Sequence, residues 1–529
     1  MIRVRQIKIL IEEDNREKLH SKIAKLLKVS LNDIEDVKII KKSLDARKKD
    51  NLFFVYEVDV KTNLESKILQ KNKSQDIFAS PVEEYSFVEQ GRIPLKNRPI
   101  IVGSGPAGLF CAYLLAEHNY KPIIIERGEC VENRIKTIEK FWEIGTLNPE
   151  SNVQFGEGGA GTFSDGKLNT LVKDKAFRGK KAFEILVENG APAEIMYENK
   201  PHIGTDILRT VIKNIRNKII SMGGEFHYNT KLTKINIENN SIVSIEVNNK
   251  DIIPCDNLVL AIGHSARDTF EMLSSIGLNM SAKPFAIGLR IEHPQALINE
   301  NQYGKKYANS LPPASYKLTY TTKKNRGVYS FCMCPGGYVV NASSEQNRLA
   351  VNGMSNYKRD TINANSALVV TVTSNDFGTS PLSGIAFQRQ LEELAYKQGR
   401  GNIPLQTYKD YKENKPTTTI GTITPVTKGN YTYANLNEIF PDYINESLKE
   451  AIEYFNTKIK GYSQNDALLL GVESRTSSPV KMERNDDGIS NIIGIYPCGE
   501  GAGYAGGITT AAMDGIKVAE SIAKKYQSY

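Results

Sequence analysis

The stretch Arg98–Gly128, RPIIVGSGPAGLFCAYLLAEHNYKPIIIERG, decides the fold of the segment around it. A short apolar run, IIV, precedes glycines at positions 103, 105 and 108, which have G-x-G-x-x-G spacing, and a helix-like run, GLFCAYLLAEH, follows. A second apolar run, PIII, then ends in Glu126, 23 residues after the first glycine. The order strand, glycine loop, helix, strand and acid is typical of a β-α-β unit that binds a dinucleotide.

Each part of this motif has a physical task. Gly103 permits the tight turn, Gly105 lets the backbone approach a pyrophosphate, and Gly108 lets the helix pack closely on the strand. The helix N-terminus attracts the phosphates, and the Glu126 carboxylate accepts from ribose hydroxyls. An acid at this position disfavours a 2′-phosphate, because like charges repel. The cofactor-binding residues predicted here are Gly103, Ser104, Gly105, Pro106, Ala107, Gly108, Glu126 and Arg127.

Two later stretches indicate which dinucleotide binds. DIIPCDNLVLAIGHSA (residues 251–266) is a strand that ends in Ala-Ile-Gly, and NIIGIYPCGEGAGYAGGITTAAMDGIKVAESIAKK (491–525) is a strand, a glycine loop and a helix. The three-part order resembles the FAD-binding flavoproteins of the glutathione-reductase-like superfamily. The resemblance implies that Glu500, where that superfamily usually has Asp, contacts the ribitol or pyrophosphate region.

The same resemblance implies that the last helix directs its N-terminus at the flavin. Its partial positive charge would stabilise the anionic reduced ring. The cofactor-binding residues implied in these two stretches are Gly263, Gly499, Glu500, Gly506, Gly507 and Ile508.

A second glycine-rich stretch, FGEGGAGTFSDGKL (155–168), nearly matches a phosphate-binding P-loop. Its Gly161-to-Lys167 spacing fits, but Leu168 stands where Ser or Thr would hold magnesium. We interpret the stretch as backbone that passes close to the flat isoalloxazine ring, which glycines permit. The alternatives are a triphosphate site and a surface glycine turn without a ligand. The predicted cofactor contacts here are Gly158, Gly159, Ala160, Gly161 and Thr162.

Longer motifs carry a narrower resemblance. They are SLDARKK, SNVQFGEGGAGTFSDGKL, FCMCPGGYVVNASSE, VNGMS, GVESRTSSPV and CGEGAGYAGGITTAAMDG. Together they are similar to a family of bacterial FAD-dependent (NAD/FAD-utilising) dehydrogenases without a settled substrate. The resemblance covers nearly the whole chain and implies non-covalent FAD and an oxidoreductase that transfers hydride or electrons. It does not supply a reaction.

These patterns predict an α/β protein with a Rossmann-like FAD-binding domain, an inserted α+β substrate domain and a small N-terminal α/β domain. Residues 1–95 would be the small domain and a polar linker, and residues 96–280 the first two segments of the FAD-binding domain. Residues 281–480 would be the substrate or cap domain, and residues 481–529 the closing segment.

Candidate catalytic residues lie where the insert rejoins the FAD-binding domain. GVESRTSSPV (471–480) puts Glu473 and Arg475 close in sequence to the closing segment, at an interface where ligands often bind. Arg475 could clamp a carboxylate or phosphate of the substrate, or it could pair with Glu473 and join the domains. His264 is a further candidate near the cofactor, with a hydrogen-bonded structural histidine as the alternative.

The cysteines offer a weaker hypothesis. Cys332 and Cys334 form C-x-C before Pro-Gly-Gly, and they are either a redox pair or two buried, inert thiols. The sequence has no C-x-x-C near the flavin motifs and no second strand–G-x-G-x-x-G–helix unit. We therefore expect neither a dithiol relay nor a dedicated NAD(P)H domain, and the absence of metal-binding motifs predicts no metal.

Composition limits partners and location. The 529 residues carry a net charge of +8 and six scattered cysteines, which fits a reducing cytoplasm. No apolar run is long enough for a membrane span, and the N-terminus does not resemble a signal peptide. We expect a small-molecule substrate, with NAD(P)H or a redox protein as electron donor.

Two alternatives to an enzyme of small molecules stay open. One is an RNA-modifying flavin reductase, suggested by the basic run between Lys38 and Lys49, although a solvated face explains that run as well. The other is a flavin electron carrier or sensor without its own substrate.

Overall fold

The computed structural model describes residues 1–170 and 172–529. Its N-terminal part contains β1 (Ile2–Leu10), α1 (Arg16–Leu27), β2 (Asp36–Asp45), β3 (Phe53–Lys61), α2 (Glu65–Lys71) and β4 (Ile77–Ala79). The strands form an antiparallel sheet in the order β2-β3-β1-β4. Helix α1 is capped by Asn15, which accepts from the Lys18 backbone N–H at 2.8 Å. Its residues Leu19, Ile23 and Leu27 recur on one face and pack on the sheet.

The segment between residues 63 and 95 is not a free linker. Helix α2 and strand β4 extend the small domain, and the residues that follow pack on the larger one. The Phe87 ring stacks on His118 with centroids 3.6 Å apart, and the Tyr85 hydroxyl donates to Glu520 at 3.0 Å. The prediction of a polar linker was wrong here, because its aromatic residues find partners far away in sequence.

The next part of the chain alternates strands and helices. It contains β5 (Ile93–Pro94), β6 (Ile100–Val102), α3 (Pro106–Glu117), β7 (Ile123–Ile125), α4 (Val131–Ile144), α5 (Arg178–Glu188), α6 (Thr205–Ser221), β8 (Glu225–His227), β9 (Leu232–Glu238), β10 (Ser241–Val247), β11 (Asp251–Pro254), β12 (Leu258–Leu260), α7 (Arg267–Ser275) and β13 (Met280–Ala282). Strands β9, β10 and β11 form a separate antiparallel meander.

The insert follows as a larger α+β unit. It contains β14 (Phe285–Pro294), α8 (Gln295–Tyr303), β15 (Thr319–Thr321), β16 (Gly327–Cys334), β17 (Tyr338–Asn341), β18 (Val351–Met354), β19 (Asn363–Val372), α9 (Ser374–Phe377), α10 (Ser383–Gly399), β20 (Ile403–Thr407), α11 (Tyr408–Glu413), β21 (Thr427–Lys428), β22 (Tyr431–Tyr433), α12 (Asp442–Asn456) and β23 (Leu468–Glu473). Seven strands form a mixed sheet in the order β15-β16-β19-β14-β23-β20-β22. Strands β18, β17 and β21 form a smaller sheet.

The chain ends with β24 (Val480–Met482), β25 (Ile495–Pro497), α13 (Ile508–Lys525) and β26 (Tyr526–Gln527). Strand β25 returns to the first unit and completes a five-stranded parallel sheet in the order β25-β12-β6-β7-β8. Helix α3 is buried on all sides, because α13 packs on it closely. A Cβ added to Gly515 of α13 would lie 2.2 Å from the Ala107 carbonyl oxygen.

The observed architecture confirms the predicted fold class. A Rossmann-like parallel sheet carries an inserted α+β unit, and a small α/β unit precedes it. Among the residues that the structure describes, no helix has the length and apolar character that crossing a membrane requires.

Candidate functional site

A cavity of about 1100 Å³ opens between the parallel sheet and the insert. On the sheet side it begins at the carboxyl ends of the strands, where Val102 ends β6, Ile125 ends β7, and Ala261 follows β12. This edge is where open α/β sheets bind their ligands. On the other side, the wall comes from the insert and includes Cys332 of β16 and Glu473 of β23.

The first glycine loop has the geometry that its motif requires. Gly103 has φ +97°, a left-handed conformation that favours glycine. A Cβ on Gly108 would lie 1.9 Å from the Gly103 carbonyl oxygen, so the close helix–strand contact requires glycine there. A Cβ on Gly105 would have only the Gly159 Cα nearby, at 3.7 Å. The space beside Gly105 therefore belongs to the cavity.

Glu126 organises this loop and joins it to the second glycine stretch. Its carboxylate is buried and accepts from the Ser104 backbone N–H at 2.9 Å, from the Ser104 hydroxyl at 2.8 Å, and from the N–H groups of Gly128 and Gly156 at 3.0 Å each. Four donors thus engage the carboxylate within the protein. Contact with a ribose stays a prediction, whereas the scaffold role is visible in the structure.

Arg127 has ion-pair partners of its own. Its guanidinium donates to Glu150 at 2.7 Å and to both carboxylate oxygens of Asp268 at 2.9 Å, and it lies over the Phe155 ring at 4.2 Å. Arg127 lines the cavity as a paired cation.

The stretch 155–168 wraps around a buried arginine. Arg134 of α4, which is fully buried, donates to five carbonyl oxygens of residues 152, 153, 156, 157 and 159 at 2.7–3.2 Å. Gly156, Gly158 and Gly159 have φ between +61° and +113°. Most of the loop is buried, so the alternative of a surface turn is wrong. Gly159, Ala160 and Gly161 line the cavity, as a backbone beside a flat ring would.

The P-loop alternative also finds no support in this loop. Asp165, which is buried, accepts from the Arg359 guanidinium at 2.9 and 2.5 Å and from the Ser355 hydroxyl. The Asp165 carboxylate, which is already paired with Arg359, lies inside the loop where the phosphates of a nucleoside triphosphate would have to bind.

Not every predicted cofactor contact lies on the cavity wall. The residues that do are Gly103, Gly105, Pro106, Ala107, Glu126, Arg127, Gly159, Ala160, Gly161, Gly263, Glu500, Gly506, Gly507 and Ile508. Five others act behind the wall, namely Ser104, Gly108, Gly158, Thr162 and Gly499. Gly158, for example, donates its N–H to the Ser104 carbonyl at 2.8 Å, and Gly499 donates to Asp514 at 2.7 Å.

The closing segment supplies a helix N-terminus and a carboxyl group. Residues 507–511, at the start of α13, line the cavity, so unsatisfied N–H groups of the first turn lie at its wall. Burial raises the pKa of Glu500 to about 7, with Lys283 opposing the shift. His264 Nε2 is 3.8 Å from the Glu500 carboxylate.

His264 is a neutral histidine. Burial, together with the nearby Arg475 and Arg267, lowers the pKa of His264 to about 3. Its Nδ1 is 3.2 Å from the Ser265 hydroxyl, so the ring is held in place beside the cavity.

Arg475 and Glu473 do not pair with each other. Glu473 accepts from Arg290 of β14 at 2.9 Å, and burial raises the pKa of Glu473. Arg475 makes a two-pronged pair with Glu392 of α10 at 3.0 and 2.9 Å. The alternative of an Arg475–Glu473 pair is therefore wrong, because Glu473 ends β23 beside β14, whereas Arg475 follows the strand and reaches α10.

The remaining nitrogen of Arg475 joins the two units. It donates to Ser265, beside the parallel sheet, at 3.3 Å, and to Ser344 of the insert at 2.5 Å. Both Arg475 and Glu473 line the cavity, but the Arg475 guanidinium and the Glu473 carboxylate already have partners within the protein. A substrate clamp by Arg475 stays a prediction.

The C-x-C pair is only half buried. Cys334 is buried, whereas Cys332 is exposed on the cavity wall, which corrects the interpretation of two buried thiols. Cys332 also has φ +42° at a bulge in β16. Although Cys332 faces the open cavity, the protein atoms packed around it raise the pKa of its thiol, so the thiolate is disfavoured.

Sequence reasoning missed the buried charges that hold the site. Arg134 recurs with Val131, Ile138 and Trp142 on the buried face of α4, and Glu392 recurs with Gln388, Leu391 and Ala395 on that of α10. A charged residue on the apolar face of an amphipathic helix was the signal that could have found both.

The residues at this edge fit FAD. Open space lies where a Cβ would stand on Gly263, Gly506 and Gly507, and Gly105 has similar room. Backbone N–H groups at the start of α3 and α13 supply donors for phosphate and ring atoms.

Comparisons with known proteins agree with this arrangement. Three family models match: a NAD(P)-binding Rossmann-like domain at residues 101–150, a "FAD-dependent protein, C-terminal domain-like" at 284–476, and a domain of unknown function at 1–61. An uncharacterised protein of Clostridium beijerinckii is 51% identical over 531 residues, which cover 99% of each chain. An L-amino acid oxidase of Cerastes cerastes is 31% identical over 91 residues, 16% of this chain and 18% of that protein.

Solved structures are more distant. Glycine oxidase from Bacillus cereus is 12% identical, with a TM-score of 0.34 over 81% of this chain and 95% of that one. L-proline dehydrogenase from P. horikoshii is 14% identical, with a TM-score of 0.32 over 82% and 93%.

Proposed function

The chain belongs to a family of FAD-dependent proteins and has FAD as its cofactor, and from this premise we propose that it is an oxidoreductase that transfers a hydride, or electrons, between FAD and a small-molecule substrate in the cavity. The observation that carries the proposal is the continuity of the cavity. One wall is made by the glycine loops at the sheet edge, and the other by strands β16 and β23 of the insert. A protein that only carries electrons would not need this second wall, because it has no substrate to enclose.

The resemblance to glutathione-reductase-like flavoproteins and to dehydrogenases remains part of this proposal. When bound, FAD supplies a two-electron carrier that can exchange hydride with an organic substrate. The rest of the catalytic work belongs to residues of this chain.

Three features of the chain suit that work. Gly105 and the start of α3 admit and hold a pyrophosphate, and the N-terminus of α13 places partial positive charge at the cavity wall. Glu500, with a pKa of about 7, can hold or release a proton near neutral pH. Neutral His264 beside it can take part in hydrogen bonds but is a poor imidazolium donor at that pH.

The electron donor is a separate part of the proposal. Because the sequence has a single G-x-G-x-x-G unit, we expect NAD(P)H to reduce the flavin poorly, with an efficiency well below about 10⁷ M⁻¹s⁻¹ and so far under the diffusional ceiling. A redox protein could serve instead. The RNA-modifying alternative would use Lys38 to Lys49, but Lys42 and Arg47 in that run are paired with Asp14 and Asp45.

Anaerobic stopped-flow reduction tests the proposal. The holoenzyme is mixed with a panel of small organic acids, amines and alcohols, with NADH and NADPH, and with a reduced ferredoxin, and the flavin absorbance is followed. Rapid reduction by one class of small molecule supports the proposal. Reduction by the redox protein alone, with no small molecule able to reduce or reoxidise the flavin, would instead identify an electron carrier.

A further inference from the structure

The cavity is rich in cations that the cofactor motifs do not explain. Its wall contains eight Lys and Arg side chains but four carboxylates. Several of these cations already have partners: Arg127 and Lys231 bind Glu150 and Asp268, Arg475 binds Glu392, and Arg359 binds Asp165. The remaining cations are Lys167, Lys200, Lys317 and Lys458.

Three of these lysines have no carboxylate within ion-pair distance in the described part of the chain. Lys200, Lys317 and Lys458 make no ion pair there, and Lys167 lies 3.8 Å from an Asp165 whose oxygens already accept from Arg359. Lys200, Lys317 and Lys458 are exposed, and of the four lysines only Lys167 and Lys200 are placed next to each other by the backbone.

Lys167 and Lys200 are brought together by the backbone. Lys167 pairs with His202 in an antiparallel bridge, which places Lys200 two residues away on the neighbouring strand segment. Lys200 Nζ donates to the Ser315 hydroxyl at 3.2 Å. Lys200 is exposed to the cavity, and partial desolvation, followed by the charges of Lys167 and Arg359, lowers the pKa of Lys200. Such mutual repulsion is relieved when an anion binds.

The wall beside these lysines is apolar. Tyr316, next to Ser315 in the chain, lines the cavity but is only 8% exposed and packs in the core of the insert, with its ring edge-on to that of Tyr462 at 5.8 Å. Other apolar parts of the wall include Leu318, Phe331 and Met333.

We propose that the substrate is an anion, a carboxylate or a phosphate ester with an apolar body, and that Lys167 and Lys200 bind its charged group. The apolar body packs on Leu318, Phe331 and Met333. This inference rests on the proposed function, since it assigns a substrate class to the same cavity. It also gives Lys167, the lysine of the near-P-loop stretch, an anion to bind other than a nucleoside triphosphate.

Ligand titration of the oxidised holoenzyme tests the inference without turnover. Benzoate, phenyl phosphate and neutral benzamide are added at constant ionic strength, because salt screens such contacts. The change in the flavin absorption spectrum and the shift in melting temperature are both recorded. Benzoate and phenyl phosphate separate the two sources of negative charge, and benzamide reports the apolar contribution alone.

The variants are Lys167→Gln, Lys200→Gln and the double variant, with Lys234→Gln as a matched control on the exposed face of β9. We expect saturable binding of at least one anion, at least tenfold weaker binding in the double variant, and no change in the control. Equal affinity in the double variant, or binding of benzamide as tight as that of the anions, would overturn the inference. Loss of FAD, or the absence of any reducing substrate, would concern the proposed function and not the anion site.

Discussion

The buried carboxylate of Glu392 contributes most to the junction between the cofactor-binding part and the insert. Glu392 of α10 accepts from Arg267 of α7 at 2.8 Å through two nitrogens and from Arg475 at 2.9 and 3.0 Å, and Ser474 adds a hydrogen bond at 2.6 Å. Burial alone would raise the pKa of Glu392, but the two guanidinium groups outweigh it and hold that pKa well below its usual range. The domains thus meet at a buried cluster in which the Glu392 carboxylate is shared by two guanidinium groups.

Arg475→Lys should lower stability and retain FAD. Lysine keeps the charge but cannot reproduce the two-pronged contact with Glu392 or reach both Ser265 and Ser344, so we expect a loss of about 1–3 kcal/mol of unfolding free energy. Thermal or urea unfolding of the holoenzyme measures it. Arg389→Lys, in a more exposed pair, is the control and should change stability by less than about 1 kcal/mol. Unchanged stability with a tenfold loss of turnover would favour the substrate clamp instead.

Gly105→Val should abolish FAD binding without unfolding the protein. Gly105 has φ −72°, which valine tolerates, and a Cβ there meets no protein atom closer than 3.7 Å. The added side chain would instead fill the space reserved for the pyrophosphate. Flavin absorbance of the purified protein measures FAD binding, and circular dichroism measures whether the protein is folded. Gly145→Ala is a control for a glycine replacement away from the cavity wall, and it should keep FAD even though Gly145 has φ +77°. A folded Gly105→Val protein that keeps its full FAD content would contradict the placement of the FAD pyrophosphate beside Gly105.

Glu292→Gln should change how stability depends on pH. Glu292 of β14 is completely buried, one of its oxygens has no partner among the described residues, and burial raises its pKa from 4.5 to about 8. The folded protein therefore binds this proton more tightly than the unfolded chain, so the stability contribution is full below about pH 4.5 and is lost as pH rises to about 8.

The variant lacks this titration but keeps the oxygen that accepts from Asn363 at 3.3 Å and Val426 at 3.2 Å. Relative to Glu292→Gln, the wild-type protein should lose on the order of a few kcal/mol between those two pH values. Urea unfolding across the range measures the difference. A difference that stays constant with pH would show that Glu292 titrates normally.

At the scale of elements, residues 80–95 bind the cofactor-binding part more than their polarity suggested. Besides the Phe87–His118 stack, the Gly91 N–H donates to the Ala523 carbonyl at 2.8 Å, and a Cβ on Gly91 would lie 2.3 Å from Lys525. Strand β5 also pairs with β26. This segment behaves as an arm across α13, the helix whose N-terminus lines the cavity.

Two truncations separate the arm from the small domain. A chain that starts at Ser80 keeps the arm, and we expect it to retain FAD and most of the stability of the cofactor-binding part. A chain that starts at Lys96 loses the arm, and its melting temperature should be lower by several degrees, with weaker FAD retention. Identical melting temperatures and FAD contents for the two truncations would refute a role for the arm.

Local patterns explain which elements could be predicted. The first β-α-β unit was predicted because its apolar strands, glycine spacing and apolar helix are all continuous in sequence. Helix α10 spans residues 383–399, whose sequence SGIAFQRQLEELAYKQG carries its buried residues at helical spacing. The arm was missed because its hydrogen-bond partners Glu520 and Ala523 lie more than 400 residues away in α13, and no local pattern reports a partner.

The same limit explains the errors at the site. The glycines were found because a motif gives their spacing, but the partner of Arg475 is a helix residue 83 positions earlier. Sequence proximity suggested that Glu473 pairs with Arg475. In the structure the register of the sheet places Glu473 beside Arg290 instead. Long-range pairing of buried charges is set by packing, which a single sequence does not display.

At the scale of the whole molecule, the small N-terminal domain docks against the rest of the chain through several contacts. The Lys42 N–H donates to the Tyr197 carbonyl at 2.8 Å, and the Asn199 N–H donates to the Lys42 carbonyl at 2.9 Å. The Tyr307 hydroxyl donates to Glu12 at 2.6 Å. None of the basic residues of this domain lines the cavity, so it acts on the site only through the surfaces it covers.

The order of strands in the parallel sheet has a consequence for synthesis of the protein. Strand β12 ends at residue 260, and its neighbour β25 begins at residue 495. A ribosome must therefore translate the whole insert before the sheet gains its last strand and the cavity gains the N-terminus of α13. Until then the nascent chain carries an open apolar strand edge, which favours aggregation. Yield in a heterologous host should thus depend on chaperone supply during elongation, and flavin capture should be a late, largely post-translational event.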